Sequence, residues 1–597
     1  MNRYIIKITC ALAVLMFGCN DEFLDRQPLD QISNDVFWNT ENDLLVYNNS
    51  LYNLTLDDNN VPILMGHHNG FSSQRWSIWH VSGFSDNTAP RHPRHNFFQL
   101  VRAGRHPVPD GPQWFGYRGW NFVRAINFGM ENYDKANVSE EVRNKYIGEA
   151  RLFRGWFYAE KAHKYGDVQW LEQTVNVDDE EILNGERDDR NFVMDKVLED
   201  LQFAAQNLPD DWGDGNAPGR INRWGALLVL SRVALYEGSW RKYHGLGDPN
   251  PWFQAAADAA EDLIMNGPYS LYSTGDPTMD YNAIHRMTDL SGNPEVVYWR
   301  RYELGIFTNH VQAYHRSYIG GATKDMVEDY LCTDGLPISL SPLYQGDEVY
   351  ENIFENRDPR LRQTILHPDD QAFYQFGNID PSVADYPKIQ GQTKPGQAST
   401  TGYHIIKVYE VNAAHATYNT SSTPAITLRF GEALLNYAEA KAELGIITQG
   451  DLDMSINLLR ARVAMPPMTM NPVEDPRYAD LGISPLLAEI RRERRIELFM
   501  EGFRYDDIRR WKMGKLLQDK DLGMRWDAAN QSRFDPDGEA TVGVIEVDGV
   551  PYLDIYAGTD YEEPIFDESK HYLWPIPISA ISQNPNLGQN PGWGASE

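Results

Sequence analysis

The run Glu489-Ile490-Arg491-Arg492-Glu493-Arg494-Arg495-Ile496-Glu497-Leu498, followed by Glu501-Gly502-Phe503-Arg504-Tyr505-Asp506-Asp507, does most to decide the fold of this chain. Charged residues of both signs recur at three- and four-residue spacing, the spacing of neighbours on one helical face. Ser484-Pro485 precedes the run as an N-cap followed by proline, and Gly502 follows it as a stop signal. We therefore predict a helix whose Arg and Glu side chains form a structural ion-pair lattice rather than a catalytic acid–base pair.

Other stretches have the same helical periodicity. Residues 145–165 place apolar side chains on one face, and residues 222–237 are apolar almost throughout, which is typical of a buried helix. Residues 428–444 predict a third helix, which Gly445 ends, and a fourth helix opens at Asp451. Two amphipathic helices joined by about five residues pack antiparallel, and this pair spacing is typical of tetratricopeptide hairpins. The sequence therefore predicts a mainly α-helical scaffold.

Two long stretches between these helices are not helical. Residues 60–115 are rich in Gly, Pro, His and aromatic residues, and residues 271–425 mix turns with the short β-like runs 295–299 and 403–409. Trp299 alternates with Val297 in the first of these runs, so we predict that it is a core residue. Since binding residues concentrate on long loops carried by a scaffold, we predict that these two insertions form the ligand face.

The beginning of the chain has the composition of an export signal. Arg3 and Lys7 precede a short apolar run that ends at Phe17, and Gly18-Cys19 follows. An apolar run of this length is too short to cross about 30 Å of hydrocarbon. Residues 1–18 are thus predicted to be a signal peptide. Cys19 is either the lipidated first residue of a bacterial lipoprotein, which we predict, or a chance cysteine after an ordinary signal.

Composition and motif content exclude several functions. A net charge of −31 argues against nucleic acid as a partner. Cys10 belongs to the signal and Cys332 stands alone once Cys19 is assigned to lipidation, so neither a disulfide framework nor a cysteine-based metal site is expected. The sequence has no Gly-rich phosphate loop, no nucleophile elbow and no HExxH motif. His92-x-x-His95, in a Pro-rich loop, is a weak candidate for metal binding.

Several motifs along the chain, taken in order, resemble those of the RagB/SusD family of outer-membrane nutrient-binding lipoproteins. Besides the 489–507 run they are Asp21-Glu22-Phe23-Leu24-Asp25-Arg26, Phe37-Trp38, Gly321-Ala322-Thr323-Lys324-Asp325-Met326-Val327, Asn356-Arg357-Asp358-Pro359-Arg360-Leu361, Leu428-Arg429-Phe430-Gly431-Glu432-Ala433-Leu434-Leu435-Asn436-Tyr437-Ala438-Glu439-Ala440, Tyr572-Leu573-Trp574-Pro575-Ile576-Pro577 and Asn584-Pro585-Asn586-Leu587-Gly588-Gln589-Asn590-Pro591-Gly592-Trp593. The resemblance covers nearly the whole mature chain, with an N-terminal part at 19–270 and a C-terminal part at 271–597.

The resemblance implies a fold, a partner and a role. The fold has four tetratricopeptide-like helix pairs and an elaborated ligand-binding face. The partner is a TonB-dependent β-barrel transporter of the SusC type. Members of the family capture oligosaccharides, or in some cases peptides, at the surface of the outer membrane, pass them to the barrel and break no bonds. Some relatives bind calcium, but the sequence contains no contiguous acidic loop to which calcium can be assigned.

Aromatic residues of the insertions are the predicted ligand contacts. Trp76 and Trp79 offer flat rings on which the apolar faces of sugars stack, and Asp86 can hold hydroxyl groups beside them. Alternatively, both tryptophans pack the loop against the helices. The family often places further contacts just before the turn at Gly320-Gly321, where this chain has Tyr314, Arg316 and Tyr318.

One part of the first insertion has an excess of positive charge. No acidic residue lies between Asp86 and Asp110, yet this stretch contains Arg91, Arg94, Arg102 and Arg105 together with His92, His95 and His106. Because arginine binds carboxylate and sulfate through paired hydrogen bonds, we hypothesise that the segment binds an acidic glycan or an acidic rim of the partner barrel. Alternatively, these arginines pair with acidic groups of the protein itself.

From the sequence we thus expect a lipid-anchored, surface-facing protein that binds oligosaccharides and is not an enzyme. A peptide-binding member of the same family, a secreted glycoside hydrolase and a pure helical scaffold are the alternatives.

Overall fold

The computed structural model describes residues 37–54, 63, 65–67, 78–90, 96–112, 116–213, 219–312, 320–370, 388–389, 398–409 and 420–594. These residues form a mainly α-helical protein, which confirms the predicted fold class. The α-helices are α1 (Glu41–Leu54), α2 (Asn96–Arg102), α3 (Trp120–Asn132), α4 (Glu140–Tyr165), α5 (Glu180–Leu183), α6 (Arg190–Asn207), α7 (Arg223–His244), α8 (Asn250–Asn266), α9 (Asp280–Arg286), α10 (Lys324–Glu328), α11 (Pro359–Thr364), α12 (Phe430–Glu443), α13 (Gln449–Asp453), α14 (Ile456–Arg462), α15 (Pro485–Glu497), α16 (Arg504–Arg510), α17 (Ala528–Phe534) and α18 (Ile578–Gln583). The strands are β1 (Val296–Arg300), β2 (Lys388–Ile389), β3 (Ala398–Ser399), β4 (Ala425–Arg429), β5 (Leu522–Arg525), β6 (Gly543–Val547) and β7 (Val550–Asp554).

Consecutive long helices pack against each other. Helix α4 contacts α3 before it and α6 after it, and α7 packs along α8. Helix α8 also packs on α12, which in turn contacts α15, so the helical scaffold continues from the N-terminal into the C-terminal part. The N-cap of α4 is Ser139, whose Oγ accepts a hydrogen bond from the backbone N of Val142, and Gly166 ends this helix.

The helix predicted to open at Asp451 starts slightly earlier. Thr448 caps α13, because its Oγ1 accepts from the backbone N of Asp451 while the Asp451 carboxylate accepts from the backbone N of Thr448. This capping box places Asp451 third in the helix rather than first. The chain then interrupts the helix near Ser455 and continues it as α14.

One of the two predicted β-like runs is a strand and the other is not. Strand β1 pairs antiparallel with β4, and Trp299 within it is buried, as predicted for a core residue. The prediction of a strand at 403–409 is wrong: the segment makes only one isolated bridge, between Ile405 and Ile365. All residues of the segment are buried, including the charged Lys407. Burial on every side therefore produced the strand-like pattern although the segment pairs with no neighbouring strand among the described residues.

The apolar interior has two main clusters. The larger one combines residues between Trp38 and Tyr269 with residues between Leu428 and Ile576, so both predicted parts of the chain contribute to it. The second cluster is built mainly from the insertions, together with Ile496 of α15, with Phe499 and Met500 just after this helix, and with residues between Met524 and Tyr561. None of the described helices combines the length and apolar character needed to span a membrane.

Candidate ligand-binding face

The described parts of the two insertions are joined to each other. The backbone N of Ala89 donates to the carbonyl oxygen of Gly321 over 3.0 Å, and Thr400 Oγ1 donates to the carbonyl oxygen of Ala89 over 2.6 Å. Thr323 Oγ1 donates to the carbonyl oxygen of Asp86 over 2.6 Å. We call the joined residues 78–90, 302–312, 320–323, 398–409 and 420–425 the insertion face.

Gly320 makes this close approach sterically feasible. Its φ of +81° lies in the left-handed region, and a Cβ at this position would lie 2.0 Å from the carbonyl oxygen of Ala89. Any other residue would force the two insertions apart. The glycine pair noted in the sequence is therefore the contact point between the insertions.

A second set of hydrogen bonds fixes the other side of the insertion face. Asn309 and Ser421 form an antiparallel bridge, with backbone N to O distances of 2.9 and 3.1 Å. Gln312 Nε2 donates to the carbonyl oxygen of Val408 over 2.6 Å and contacts Thr423 Oγ1 at 2.8 Å. These contacts fix the positions, relative to one another, of the described residues that flank 313–319 and 410–419.

Most of the predicted site residues lie outside the described part of the chain. Outside the described residues lie Cys19, Trp76, Arg91, Arg94, Tyr314, Arg316 and Tyr318, together with His92 and His95. Of the predicted ligand contacts, the structure thus describes only Trp79 and Asp86.

Trp79 is a buried residue of the insertion face. It is only 5% exposed, and its ring lies 5.9 Å from the His285 ring in an edge-on arrangement and 6.2 Å from the His67 ring. These are the contacts expected from the alternative in which the tryptophan packs the loop against the helices.

Asp86 is likewise engaged inside the protein. Its carboxylate accepts from Arg504 Nε and Nη2 over 2.8 and 2.7 Å, and Arg495 Nη2 lies 3.3 Å away. Burial opposes ionisation of this carboxyl group, but Arg495 and Arg504 hold its pKa well below the usual range. With both oxygens bound by arginine, Asp86 anchors the first insertion to α15 and α16.

Two of the four arginines in the basic segment have internal partners. Arg102 donates to Asp521 Oδ1 over 2.7 Å, and Arg105 donates to the carbonyl oxygen of Glu563 over 2.7 Å. His106 is buried with its ring 4.9 Å from the Trp593 ring, and burial lowers its pKa to about 3, so this imidazole is neutral. Arg102 thus pairs with an acidic side chain of the protein, as the alternative predicts, whereas the partner of Arg105 is a backbone carbonyl.

The ion-pair lattice predicted for 489–501 is present and is buried. Glu497 is fully buried and accepts from three arginines of three other segments, Arg360, Arg429 and Arg462, at distances between 2.7 and 3.1 Å. Because Arg360 belongs to the second insertion, these bonds hold that insertion on the helical scaffold.

Glu501 forms the second centre of the lattice. Its carboxylate accepts from Arg429 Nε over 2.7 Å and from Lys407 Nζ over 2.7 Å. Burial raises its pKa, but Arg429 and Lys407 outweigh burial and lower the value to about 2. Burial lowers the pKa of Lys407 to about 8, although Glu501 opposes the change.

The sequence predicted the lattice residues between 489 and 501 but not their partners elsewhere in the chain. Arg360 and Arg429 stand in two of the motifs quoted above, yet nothing local to them indicated their partners. Lys407 was the clearest missed signal, since a lysine within an apolar run requires an internal acceptor. Among the described residues no group of three or more His, Cys, Asp or Glu is arranged to hold a metal ion.

Comparison with known sequences gives two family matches. The profile of the SusD family matches residues 290–593, and a second profile, described as "Starch-binding associating with outer membrane", matches residues 109–235. A SusD-like protein of Bacteroides ovatus is 24% identical over 601 residues, which cover 98% of this chain and 97% of that protein.

Solved structures share the fold. A SusD-like carbohydrate binding protein of Bacteroides fragilis superposes with a TM-score of 0.70 at 22% identity, over 92% of this chain and 99% of that one. A second SusD-like protein of the same species gives a TM-score of 0.67 at 23% identity, over 95% of this chain and all of that one.

Proposed function

The chain belongs to the SusD family, and from this premise we propose that it binds oligosaccharides at the cell surface and delivers them to a TonB-dependent transporter of the outer membrane. The observation that carries the proposal is the match of the SusD profile to residues 290–593, a range that includes most of the second insertion and the helices on which it sits. A structural relative is a carbohydrate binding protein, and a profile for starch-binding proteins matches residues 109–235.

We propose that the ligand binds at the insertion face. Since Trp79 and Asp86 are buried and engaged, we assign them to the support of this face and not to ligand contact. The proposed contacts are Trp76, Arg91, Arg94, Tyr314, Arg316 and Tyr318. In the sequence they lie within a few residues of described residues that the hydrogen bonds between the insertions hold in place, which supports the proposal that they bind the ligand.

The role of the aromatic contacts is tested by binding. Trp76→Ala and Tyr314→Ala should each weaken oligosaccharide affinity by about 1–3 kcal/mol, the contribution of one stacked ring, at an unchanged melting temperature. The matched control is Phe192→Ala, because Phe192 is an exposed aromatic residue of α6 and should leave affinity unchanged. Unchanged affinity in both aromatic variants would contradict the proposed site.

The charge of the ligand is tested separately. An Arg91→Ala, Arg94→Ala double variant should lose affinity for a uronic-acid or sulfated oligosaccharide and keep its affinity for a neutral one. Binding of the acidic ligand should weaken with added salt, because salt screens exposed ionic contacts beyond about 10 Å. If wild type binds only neutral sugars, without salt dependence, the acidic-ligand hypothesis is excluded.

We further propose that Cys19 carries the lipid anchor and that the protein has no catalytic activity of its own. Several acyl chains on one cysteine give stable anchoring, since each buried methylene contributes about 0.8 kcal/mol. Delivery to a transporter predicts that a TonB-dependent β-barrel co-purifies with the protein from detergent-solubilised outer membranes. Failure to recover any barrel would contradict the delivery part of the proposal while leaving oligosaccharide binding intact.

A further inference from the structure

A large open groove lies on the helical scaffold, outside the insertion face. It has a volume of about 930 Å³ and lies between the start of α3, the segment 169–184 and the C-terminal helix α18. This volume is within the range of small-ligand sites, roughly 300–1,000 Å³. Although the chain has a net charge of −31, no Asp or Glu is among the described residues that line the groove. We call this region the scaffold groove.

The wall formed by residues 169–175 is held from inside. Asn127 Nδ2 donates to the carbonyl oxygens of Leu171 and Gln173 over 2.8 and 3.0 Å. Arg124 Nε donates to the carbonyl oxygen of Val175 over 3.0 Å. The backbone carbonyl groups of these three residues are therefore already hydrogen-bonded within the protein.

The opposite wall is fixed in the same way. Gln169 Nε2 donates to the carbonyl oxygens of Ile182 and Gly185 over 3.0 and 2.9 Å, and Asn584 Nδ2 donates to that of Gly185 over 2.8 Å. The C-terminal segment is thus tied to the wall. Because the carbonyl groups of Leu171, Gln173, Val175 and Ile182 are already hydrogen-bonded within the protein, addition of an extended peptide as a strand along these walls is disfavoured.

What the scaffold groove does offer is side-chain recognition. Trp120 is half-buried, and the buried Lys161 places its Nζ 5.0 Å from the centroid of the Trp120 ring. Asn121, Gln173 and Gln583 are exposed, and within the described part of the chain their amide groups have no hydrogen-bond partner. A ring for stacking together with planar amides for vicinal hydroxyls is the chemistry that binds sugars.

We propose that the scaffold groove is a second binding site, for a neutral oligosaccharide. Arg118 and Arg124 line the groove, whereas the acidic run Asp178-Asp179-Glu180-Glu181 immediately precedes the groove residues Ile182 and Leu183. Neither sign of charge dominates, so a neutral sugar fits the groove best. The preformed walls limit the loss of entropy on binding. The site shares no residue with the insertion face, so it extends the proposed function without depending on it.

The test uses the full mature chain in its soluble Cys19→Ala form. Hydroxyl-radical oxidation of Trp120 and Leu183 is measured with and without maltohexaose, cellohexaose, xylohexaose or mannohexaose. At least one of these sugars should protect both side chains. An Asn121→Ala, Gln173→Ala, Gln583→Ala triple variant should bind that sugar at least about tenfold more weakly in calorimetry, at an unchanged melting temperature.

Two controls locate the effect. Gln202→Ala and Gln206→Ala remove exposed amides of α6 that do not line the groove and should leave protection unchanged. Trp76→Ala, at the insertion face, should also leave it unchanged. Failure of all four sugars to protect Trp120 overturns the proposal, as does protection by a neutral alanine–serine hexapeptide but by no sugar. Undiminished protection in the triple variant overturns it as well.

Discussion

Replacing Glu501 by Gln should remove one of the two centres that bind the second insertion to the scaffold. The carboxylate is 7% exposed and lies 2.7 Å from both Arg429 Nε and Lys407 Nζ. Lowering its pKa from 4.5 to about 2 corresponds to about 3 kcal/mol of stability at neutral pH. Removing one partner of a buried ion pair costs about 3–5 kcal/mol, because the remaining charges lose their counter-charge. The two estimates agree, so we expect a loss of about 3–5 kcal/mol.

The assay is urea unfolding of the soluble mature chain, followed by circular dichroism at two pH values. The matched control is Glu199→Gln, whose carboxylate is 59% exposed and pairs with Lys196 at 3.2 Å, so its loss should cost at most about 1 kcal/mol. A group with a lowered folded pKa stabilises the protein above its unfolded pKa and loses that contribution as the pH falls. The difference between wild type and Glu501→Gln should therefore shrink by about 1 kcal/mol between pH 7 and pH 4.

Two results would refute this reasoning. One is a Glu501→Gln protein as stable as the Glu199→Gln control, which would mean that the buried lattice contributes nothing to stability. The other is a difference that does not change with pH, which would mean that the ionisation of Glu501 is not its source.

Three further predictions concern the anchor, the tryptophans and a buried lysine. Cys19→Ala should move the protein from the membrane fraction to a soluble pool in a strain without the partner barrel, whereas Cys332→Ala should not; unchanged partitioning of the first variant would exclude the lipid anchor. Trp79→Ala should lower the free energy of unfolding by about 3–5 kcal/mol because the ring is buried, whereas Trp76→Ala should lower sugar affinity with little effect on stability; the reverse pattern would exchange their roles. Burial holds the pKa of Lys161 well below 10.5, so the free energy of unfolding of wild type should increase as the pH rises toward 10.5. In Lys161→Met this increase should be smaller, and an equal increase would contradict the prediction.

The sequence predicted those elements whose signals are local. Helix α4 followed from apolar residues at helical spacing, and α15 from a cap, a proline and alternating charge, because these features act within one or two turns. The segment 403–409 was predicted incorrectly because a continuous run of buried residues has the pattern of a strand. The residues that bury this segment are distant in sequence, so they give no local signal.

The site was harder to predict, because its contacts are long-range. Arg360 bonds Glu493, a residue 133 positions away, and no local pattern encodes such a partner. The sequence also could not predict that Trp79 is buried or that Asp86 faces two arginines. Both outcomes depend on how the insertions pack against α15 and α16.

The most direct test of the account is a titration of the soluble mature chain with a set of neutral and acidic oligosaccharides, followed by chromatography of the recovered sugar. The account predicts saturable binding of at least one oligosaccharide, weakened by Trp76→Ala, with the bound sugar recovered at its original length. Shortened sugar would identify a hydrolase, and the absence of binding to every member of the set would contradict the proposed function.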